Sequence, residues 1–388
     1  MAPAHKRRRG VVVLGSTGSV GRNTLDVLRA LQSSFRVVGL SANKSWQTLL
    51  EQIEEFQPSR VALADGASAC SLEGASLPNG ISLMLGRGGV EELASDPDAD
   101  FVVLAISGGA AIHAAVSAIK AGKTLGLANK EVLVMAGETI AELAHRHGAK
   151  IVPIDSEHNA IHQLLRTGRR TEVRRIILTA SGGPFYDWPD SKLRKVTVEE
   201  ALRHPTWRMG QQITINSATM INKAMEVVEA HWLFGLDADQ IEILVHPEAI
   251  VHSVVEFRDG ACFAVMGPPD MRVPIQYALT GPRRVAAPHI AMDLAEIGSL
   301  TFRKPDFEKF PGLSLGYDVL KRGGTSGAVL CGANEAAVRK FVEGVIEFPD
   351  IAALVRRVMD KHAPIGQPTV EQIVAVGRWS ARQVERLV

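Results

Sequence analysis

Short, continuously apolar runs alternate with amphipathic stretches over the first 155 residues. The runs are Val11–Leu14, Arg36–Leu40, Val61–Leu63, Phe101–Ile106, Thr124–Leu127 and Ile151–Ile154. Runs that are apolar on both sides predict strands of a parallel sheet covered on both faces. Helical spacing at Asn23–Leu31, Ser45–Phe56 and Ala110–Ala121 supplies the covering layers. The fold expectation is α/β, with an N-terminal Rossmann-like parallel sheet domain over residues 1–155. Ligands on such sheets sit beyond the carboxyl ends of the strands.

The pattern changes at Ser156. An apolar strand at Arg175–Leu178 and a helical stretch at Ser217–Leu233 precede strands at Ile241–Val245, Ser253–Phe257 and Cys262–Met266. Asp259-Gly260 between the last two strands is a hairpin signal. Residues 156–280 therefore read as an α+β middle catalytic domain. Residues 281–307 carry Pro282, Pro288 and Pro305 with little periodicity and read as a linker. Helical spacing at Gly327–Glu343, Ile351–Lys361 and Val370–Val388 predicts a small C-terminal helical bundle over 308–388.

Composition narrows the class. The 388 residues are 46% hydrophobic and 22% charged, which excludes a disordered or collagen-like chain. Cys70, Cys262 and Cys331 form no Cys-x-x-Cys pair, so zinc-cluster and thioredoxin chemistry are not expected, and so sparse a set fits a reducing compartment. The net charge of +1 is uneven: Lys6, Arg7, Arg8 and Arg9 removed, 39 basic residues face 42 acidic ones, a balance of −3. That is not the footprint of a nucleic-acid binder. No apolar run reaches the ~18 residues of a membrane span, and the basic tip leads straight into a strand rather than a cleavage site. The expected place is the cytoplasm.

The first strand runs into Gly15-Ser16-Thr17-Gly18-Ser19-Val20-Gly21 and then a helix. Glycines there allow a tight turn and let backbone N–H groups and a helix N-terminus meet a pyrophosphate. The second strand ends in Ser41-Ala42-Asn43-Lys44-Ser45. An acid at that point would suit the 2′-OH of NAD. Its absence, with Lys44 present, suits a 2′-phosphate, so NADPH is expected, with Ala42, Asn43 and Lys44 as contacts. Ser107-Gly108-Gly109 after the Phe101–Ile106 run reads either as a second ligand-facing turn or as a bare turn.

The Ile151–Ile154 strand leads into Asp155-Ser156-Glu157-His158-Asn159. On an extended backbone Asp155 and Glu157 face the same side. The pair reads either as a solvated acidic strand end or as oxygen ligands for Mg²⁺ or Mn²⁺. Helical spacing places Asn222, Lys223 and Glu226 on one face, with Ser217 at an expected N-cap. Glu226 is then a third metal ligand, and Ser217, Asn222 and Lys223 hold a phosphate; the alternative is an exposed polar face. Thr179-Ala180-Ser181-Gly182-Gly183-Pro184 is a backbone nest suited to an anion. His204-Pro205-Thr206-Trp207-Arg208-Met209-Gly210 reads either as a buried turn or as a lid over substrate.

These motifs, with Leu127-Ala128-Asn129-Lys130-Glu131, Ser181-Gly182-Gly183-Pro184-Phe185, His246-Pro247 and Pro268-Pro269-Asp270-Met271-Arg272, occur in one order over almost the whole chain beyond Gly10. In this the sequence resembles the 1-deoxy-D-xylulose 5-phosphate reductoisomerase family. The resemblance implies a V-shaped homodimer acting on a small phosphorylated sugar, with neither nucleic acid nor membrane as partner. It implies metal-dependent rearrangement of 1-deoxy-D-xylulose 5-phosphate, NADPH-dependent reduction to 2-C-methyl-D-erythritol 4-phosphate in non-mevalonate isoprenoid biosynthesis, and inhibition by fosmidomycin. It assigns the metal to Asp155, Glu157 and Glu226, and catalysis to Lys130, Glu157 and His204. Substrate falls to Ser156, Ser181, His204, Trp207, Ser217, Asn222, Lys223 and Glu226. NADPH falls to Gly15, Ser16, Thr17, Gly18, Ser19, Val20, Ala42, Asn43, Lys44, Ala105, Asn129, Glu131, Met209 and Gly210. His158 and His252 match family histidines near the site. The chain departs from the family at Asn43 and Ala180, where glycine is frequent.

Two rival readings make different predictions. A metal-independent NADP-linked dehydrogenase would turn over without a divalent cation. A Rossmann-type regulatory protein using the basic tip on DNA would bind it with steep salt dependence.

Overall fold

The computed structural model describes residues 7–68, 77–207, 209–287 and 290–388. Lys6, Cys70, Arg208 and Pro288, singled out above, lie outside the described residues. The described chain divides into two compact units. The first comprises Met1–Asn129, Glu142–Asp155 and Met271–Val285, and the second Lys130–Ala141, Ser156–Asp270 and Ala286–Val388.

The first unit is built on a sheet of β1 (Arg9–Leu14), β2 (Phe35–Ala42), β3 (Arg60–Leu63), β4 (Ser82–Leu85), β5 (Phe101–Leu104), β6 (Thr124–Leu127) and β7 (Lys150–Pro153). The strand order is β4-β3-β2-β1-β5-β6-β7, and every pairing is parallel. Val11, Val13, Leu40, Leu63, Phe101 and Val103 lie in one core cluster with Leu25, Leu28, Leu49 and Ile53 of the flanking helices. The order reverses direction at β1, so the turns after β1 and β5 open side by side at the switch point.

The apolar runs that predicted strands all fall on strands, because buried parallel strands carry the simplest hydrophobic signature. Strand β4 and the helix Gly86–Ala94 were not expected: β4, with the apolar Leu83-Met84-Leu85, is a short, partly exposed strand at the sheet edge, and the helix opens on Gly86-Arg87-Gly88-Gly89. Arg9 is part of the fold rather than a free basic tip. Its guanidinium lies over the rings of Phe35 and Phe101 and donates to the Leu279 carbonyl.

In the second unit β8 (Val173–Ala180), β9 (Ile241–Val245), β10 (Val251–Phe257) and β11 (Cys262–Met266) form a sheet of order β11-β10-β8-β9. β8 and β9 run parallel, and the other pairings are antiparallel. From Ile221 to Ala230 the helix Ile221–Phe234 is buried at every position except Asn222. Close helix packing around it depends on Gly316, where a Cβ would stand 2.1 Å from the Ala224 carbonyl oxygen. Helices Ser314–Arg322, Ser326–Val342, Asp350–Asp360 and Val370–Leu387 complete this unit.

Three local expectations are corrected. The helix expected over Ser217–Leu233 is two helices, Gln211–Ala218 and Ile221–Phe234, separated by Met220 in the left-handed region at φ 60°. Ser217 is therefore near a helix C-terminus and caps no N-terminus. Glu157 is not on extended backbone: β7 ends at Pro153, and Ser156 opens the helix Ser156–Leu164. The compact units change at the expected 155/156 boundary but not at 280/281. Helix Arg272–Thr280 joins the first unit because Ile275, Ala278 and Leu279 enter its core, and the expected linker contributes Arg303, bridged to Val245 of β9.

Candidate active site

In the first unit the turn after β1 has the backbone that its glycines require. Gly15 sits at φ 83°, and a Cβ there would fall 2.7 Å from the Ala105 carbonyl oxygen. A Cβ on Gly21 would fall 2.2 Å from the Gly15 carbonyl oxygen, so the first helical turn lies directly on the loop. Gly18 is the N-cap of the helix Ser19–Ala30, and no side chain caps it. First-turn N–H groups at Ser19 and Val20 thus face the loop with a positive dipole end behind them. Ser16 is fully buried: its hydroxyl donates to Gln52 Oε1 at 2.6 Å and holds the loop. What Ser16 has to offer a ligand is backbone, not its hydroxyl.

Ala42 closes β2, and Asn43 and Lys44 follow it, exposed. The Asp65 carboxyl is held below its ordinary pKa by the Ser68 backbone and hydroxyl, and to a lesser extent by Lys44. Ala105 follows β5, and its N–H bonds to the Leu14 carbonyl at 2.8 Å. Asn129 is buried and its amide donates to the carbonyls of Ile106 (2.7 Å) and Gly108 (3.0 Å). The Ser107–Gly109 turn is therefore built, with Gly108 at φ 72°, and is not a slack connection. Glu131, Met209 and Gly210 belong to the second unit.

The second unit holds a dense ionic cluster. Lys130 Nζ lies 3.1 Å from Glu226 Oε1. Lys223 Nζ donates to Glu157 Oε1 at 2.7 Å and to Glu226 Oε2 at 2.5 Å. Asn222 Nδ2 donates to Glu226 Oε1 at 2.6 Å, and the Ser156 hydroxyl bonds to Glu157 Oε2. Lys130, Lys223 and Glu226 are buried. Burial works against the Lys223 charge, but Glu157 and Glu226 more than offset it and hold its pKa up. The two-helix break sets this geometry: Met220 starts a helix whose second, third and sixth residues are Asn222, Lys223 and Glu226.

Asp155 is one peptide bond from Ser156, so its place beside Glu157 follows from the entry to the helix. One oxygen from each of Asp155, Glu157 and Glu226 lies within 4.8 Å of the others. Three hard oxygen donors at this spacing suit a divalent cation such as Mg²⁺ or Mn²⁺ and give zinc no nitrogen or sulfur. The two carboxylates expected on one strand face do converge, through a helical turn.

A second cluster forms around His204. Its Nδ1 accepts the backbone N–H groups of Thr206 (3.1 Å) and Trp207 (2.9 Å). In the neutral ring the proton is thus on Nε2, which faces Ser181 Oγ at 3.1 Å and Ser217 Oγ at 3.0 Å. Burial pushes the His204 pKa down to about 4. Gly182 and Gly183 stand at φ 85° and 68°, and the Gly183 N–H bonds to Ser181 Oγ at 3.3 Å. Two hydroxyls, an imidazole N–H and a glycine nest make an anion cradle.

The expected phosphate set is therefore divided. Ser181, His204 and Ser217 meet, whereas Asn222 and Lys223 turn to the carboxylates. Trp207 is half-buried beside His204. His158 is fully buried, with Nε2 3.0 Å from the Glu226 carbonyl oxygen and Nδ1 3.3 Å from Glu229 Oε2. Glu229 was not singled out from the sequence, although its place one turn beyond Glu226 is the available signal. His252, on β10, is buried with its pKa lowered by that burial.

Known proteins match over the same span. The model "1-deoxy-D-xylulose 5-phosphate reductoisomerase" matches residues 11–137, its C-terminal domain model 151–234, and "DXP reductoisomerase C-terminal domain" 266–384. The 1-deoxy-D-xylulose 5-phosphate reductoisomerase of Pelotomaculum thermopropionicum is 49% identical over 96% of both chains. The solved structure of that enzyme from Zymomonas mobilis, in complex with NADPH, superposes with a TM-score of 0.92 at 38% identity, over 98% of this chain and 99% of that one. A DOX-P reductoisomerase in complex with NADPH, fosmidomycin and magnesium gives 0.90 at 35% identity, over the same shares. Matches that run from the first strand to the last helix assign the chain to the 1-deoxy-D-xylulose 5-phosphate reductoisomerase family.

Proposed function

We propose that the protein rearranges 1-deoxy-D-xylulose 5-phosphate to a branched aldehyde and reduces that aldehyde with a hydride from NADPH, giving 2-C-methyl-D-erythritol 4-phosphate. The observation that carries this reading is the convergence of Asp155, Glu157 and Glu226 with Lys130 and Lys223 around them. A divalent cation held by the three carboxylates would polarise the substrate ketone and orient its neighbouring hydroxyl.

The chain's own residues supply the rest. Lys130 places an ammonium where oxyanion charge develops on the rearranging carbons. The Ser156 hydroxyl binds a substrate hydroxyl. Neutral His204 donates its Nε2–H to the substrate phosphate, joined by the Ser181 and Ser217 hydroxyls and the Gly182-Gly183 backbone. Asn222 and Lys223 complete that anchor; an ammonium on a flexible four-carbon stem can change partners between carboxylate and phosphate. Trp207 closes over the reacting end and excludes water. The turn Gly15–Val20 takes the pyrophosphate, and Asn43 and Lys44 the 2′-phosphate. The outer strand β11 exposes Phe263 and Met266, which supports a homodimer formed through this sheet.

The test is NADPH oxidation followed at 340 nm with 1-deoxy-D-xylulose 5-phosphate, in Mg²⁺ or Mn²⁺ and then in EDTA. Oxidation that stops in EDTA and returns with the metal is expected, with fosmidomycin competing against substrate. Turnover that survives EDTA would favour the metal-independent dehydrogenase and leave the triad without a use.

A further inference from the structure

Helix Gln211–Ala218, which presents Ser217 to the His204 cluster, is anchored by side-chain amides one residue away. Asn216, next to Ser217, is buried. Its Oδ1 accepts from Asn334 Nδ2 at 2.9 Å and from Gln212 Nε2 at 3.1 Å. Asn334 lies 118 residues further on, in the helix Ser326–Val342, and is only 1% exposed. Its neighbours on that helix are Ala328, Val329, Leu330, Ala333, Ala336 and Ala337, all buried.

An amide in such a wall is costly: among the described residues Asn334 Oδ1 is buried without a hydrogen-bond partner. Flipping the amide would set oxygen against oxygen, so the bond to Asn216 fixes its orientation. Packing alone would favour leucine at both positions, because replacing both members of a buried polar pair by apolar groups is near neutral for stability. What an amide pair adds is register: it fixes the rotation and axial position of one helix against another. Here the helix so fixed carries Ser217 in its last turn, and the Ser217 hydroxyl faces His204. The Ser217 carbonyl oxygen also supports the nest, since a Cβ on Gly183 would come within 2.9 Å of it.

We propose that Asn334 is a positioning residue for the phosphate anchor, acting through Asn216 to set the reach of Ser217. The proposal rests on the phosphate role given above to Ser217, Ser181 and His204. An anchor remote from the reacting carbons contributes equally to ground and transition states, so its misplacement appears in KM.

The experiment uses the full chain with substrate, NADPH and Mg²⁺. Asn334→Leu is expected to raise KM for 1-deoxy-D-xylulose 5-phosphate about tenfold, the ratio of one ordinary hydrogen bond. The Ki of fosmidomycin should rise in parallel, with kcat within about threefold and NADPH affinity and Tm unchanged. Gln212→Met removes the second donor without touching the C-terminal helix and guards against misfolding of the first variant. It is expected to raise KM about threefold. In a Ser217→Ala background, Asn334→Leu should add little, because both act through one hydroxyl. An unchanged KM in both single variants would overturn the proposal. So would full additivity with Ser217→Ala, which would make Asn334 a packing residue. Failure of the wild-type protein to oxidise NADPH with this substrate would instead overturn the functional reading.

Discussion

The Glu226 side chain touches Lys130, Lys223 and Asn222, and its backbone touches His158. Glu226→Gln keeps the shape and removes one negative charge from the triad. Turnover should fall by roughly a thousandfold, the several kcal/mol that metal charge stabilisation supplies. NADPH affinity should stay as it is, because the nucleotide turn belongs to other elements. Wild-type kcat in that variant would remove Glu226 from the metal ligands. His204 makes a different prediction. Its folded pKa, about 4, lies below the ordinary 6.5 because burial disfavours the charged ring. A histidine with a depressed pKa adds stability above its unfolded value. That contribution is lost as pH falls from about 6.5 towards about 4. Protonation of Nδ1 would set an N–H against those of Thr206 and Trp207. In an NMR titration of the substrate-free protein the His204 ring should therefore stay neutral through pH 6; a midpoint near 6.5 would mean that Nδ1 accepts neither bond.

Among the elements, strands were the most legible. Val11–Leu14 and Phe101–Leu104 are apolar at every position because both sheet faces are covered, and their shortness and flanking turns separate them from a buried helix. Helix boundaries were less so. Nothing in Ser217-Ala218-Thr219-Met220-Ile221 marks a break: Met220 adopts φ 60° without a glycine, and only the surrounding packing holds it there. The same packing makes a direct prediction for helix Ser314–Arg322. Gly316→Ala would place a methyl 2.1 Å from the Ala224 carbonyl oxygen, on the helix that carries Glu226. The helices must part, at a cost of about 1–3 kcal/mol, so Tm should fall by several degrees and kcat with it. An unchanged Tm would mean that the contact relaxes freely.

For the whole molecule, the exposed rings and side chains on β11 predict assembly. Light scattering should give twice the mass of one chain, and a Phe263→Glu, Met266→Glu double variant should give one chain's mass. A monomeric wild-type protein would remove the dimer from the reading. No helix among the described residues is long and apolar enough to cross a membrane. The basic tip has a use within the fold: Arg9 packs on Phe35 and Phe101, and Arg7 pairs with Asp100. The turn after β1 and the Ser181-Gly182-Gly183 nest were readable because each is a short run whose glycines already imply its backbone, and the family was readable from the order of the motifs; the convergence of Asp155 and Glu157 with Glu226 was not, since Glu157 is helical rather than extended and Glu226 comes from a separate helix. Nor were the partners of those residues. That Lys223 turns to Glu157 rather than to Ser217, that helix Arg272–Thr280 closes the first core, and that Asn334 reaches Asn216 are contacts between segments far apart in sequence. No local spacing encodes them, since they exist only once packing has brought those segments within hydrogen-bonding distance.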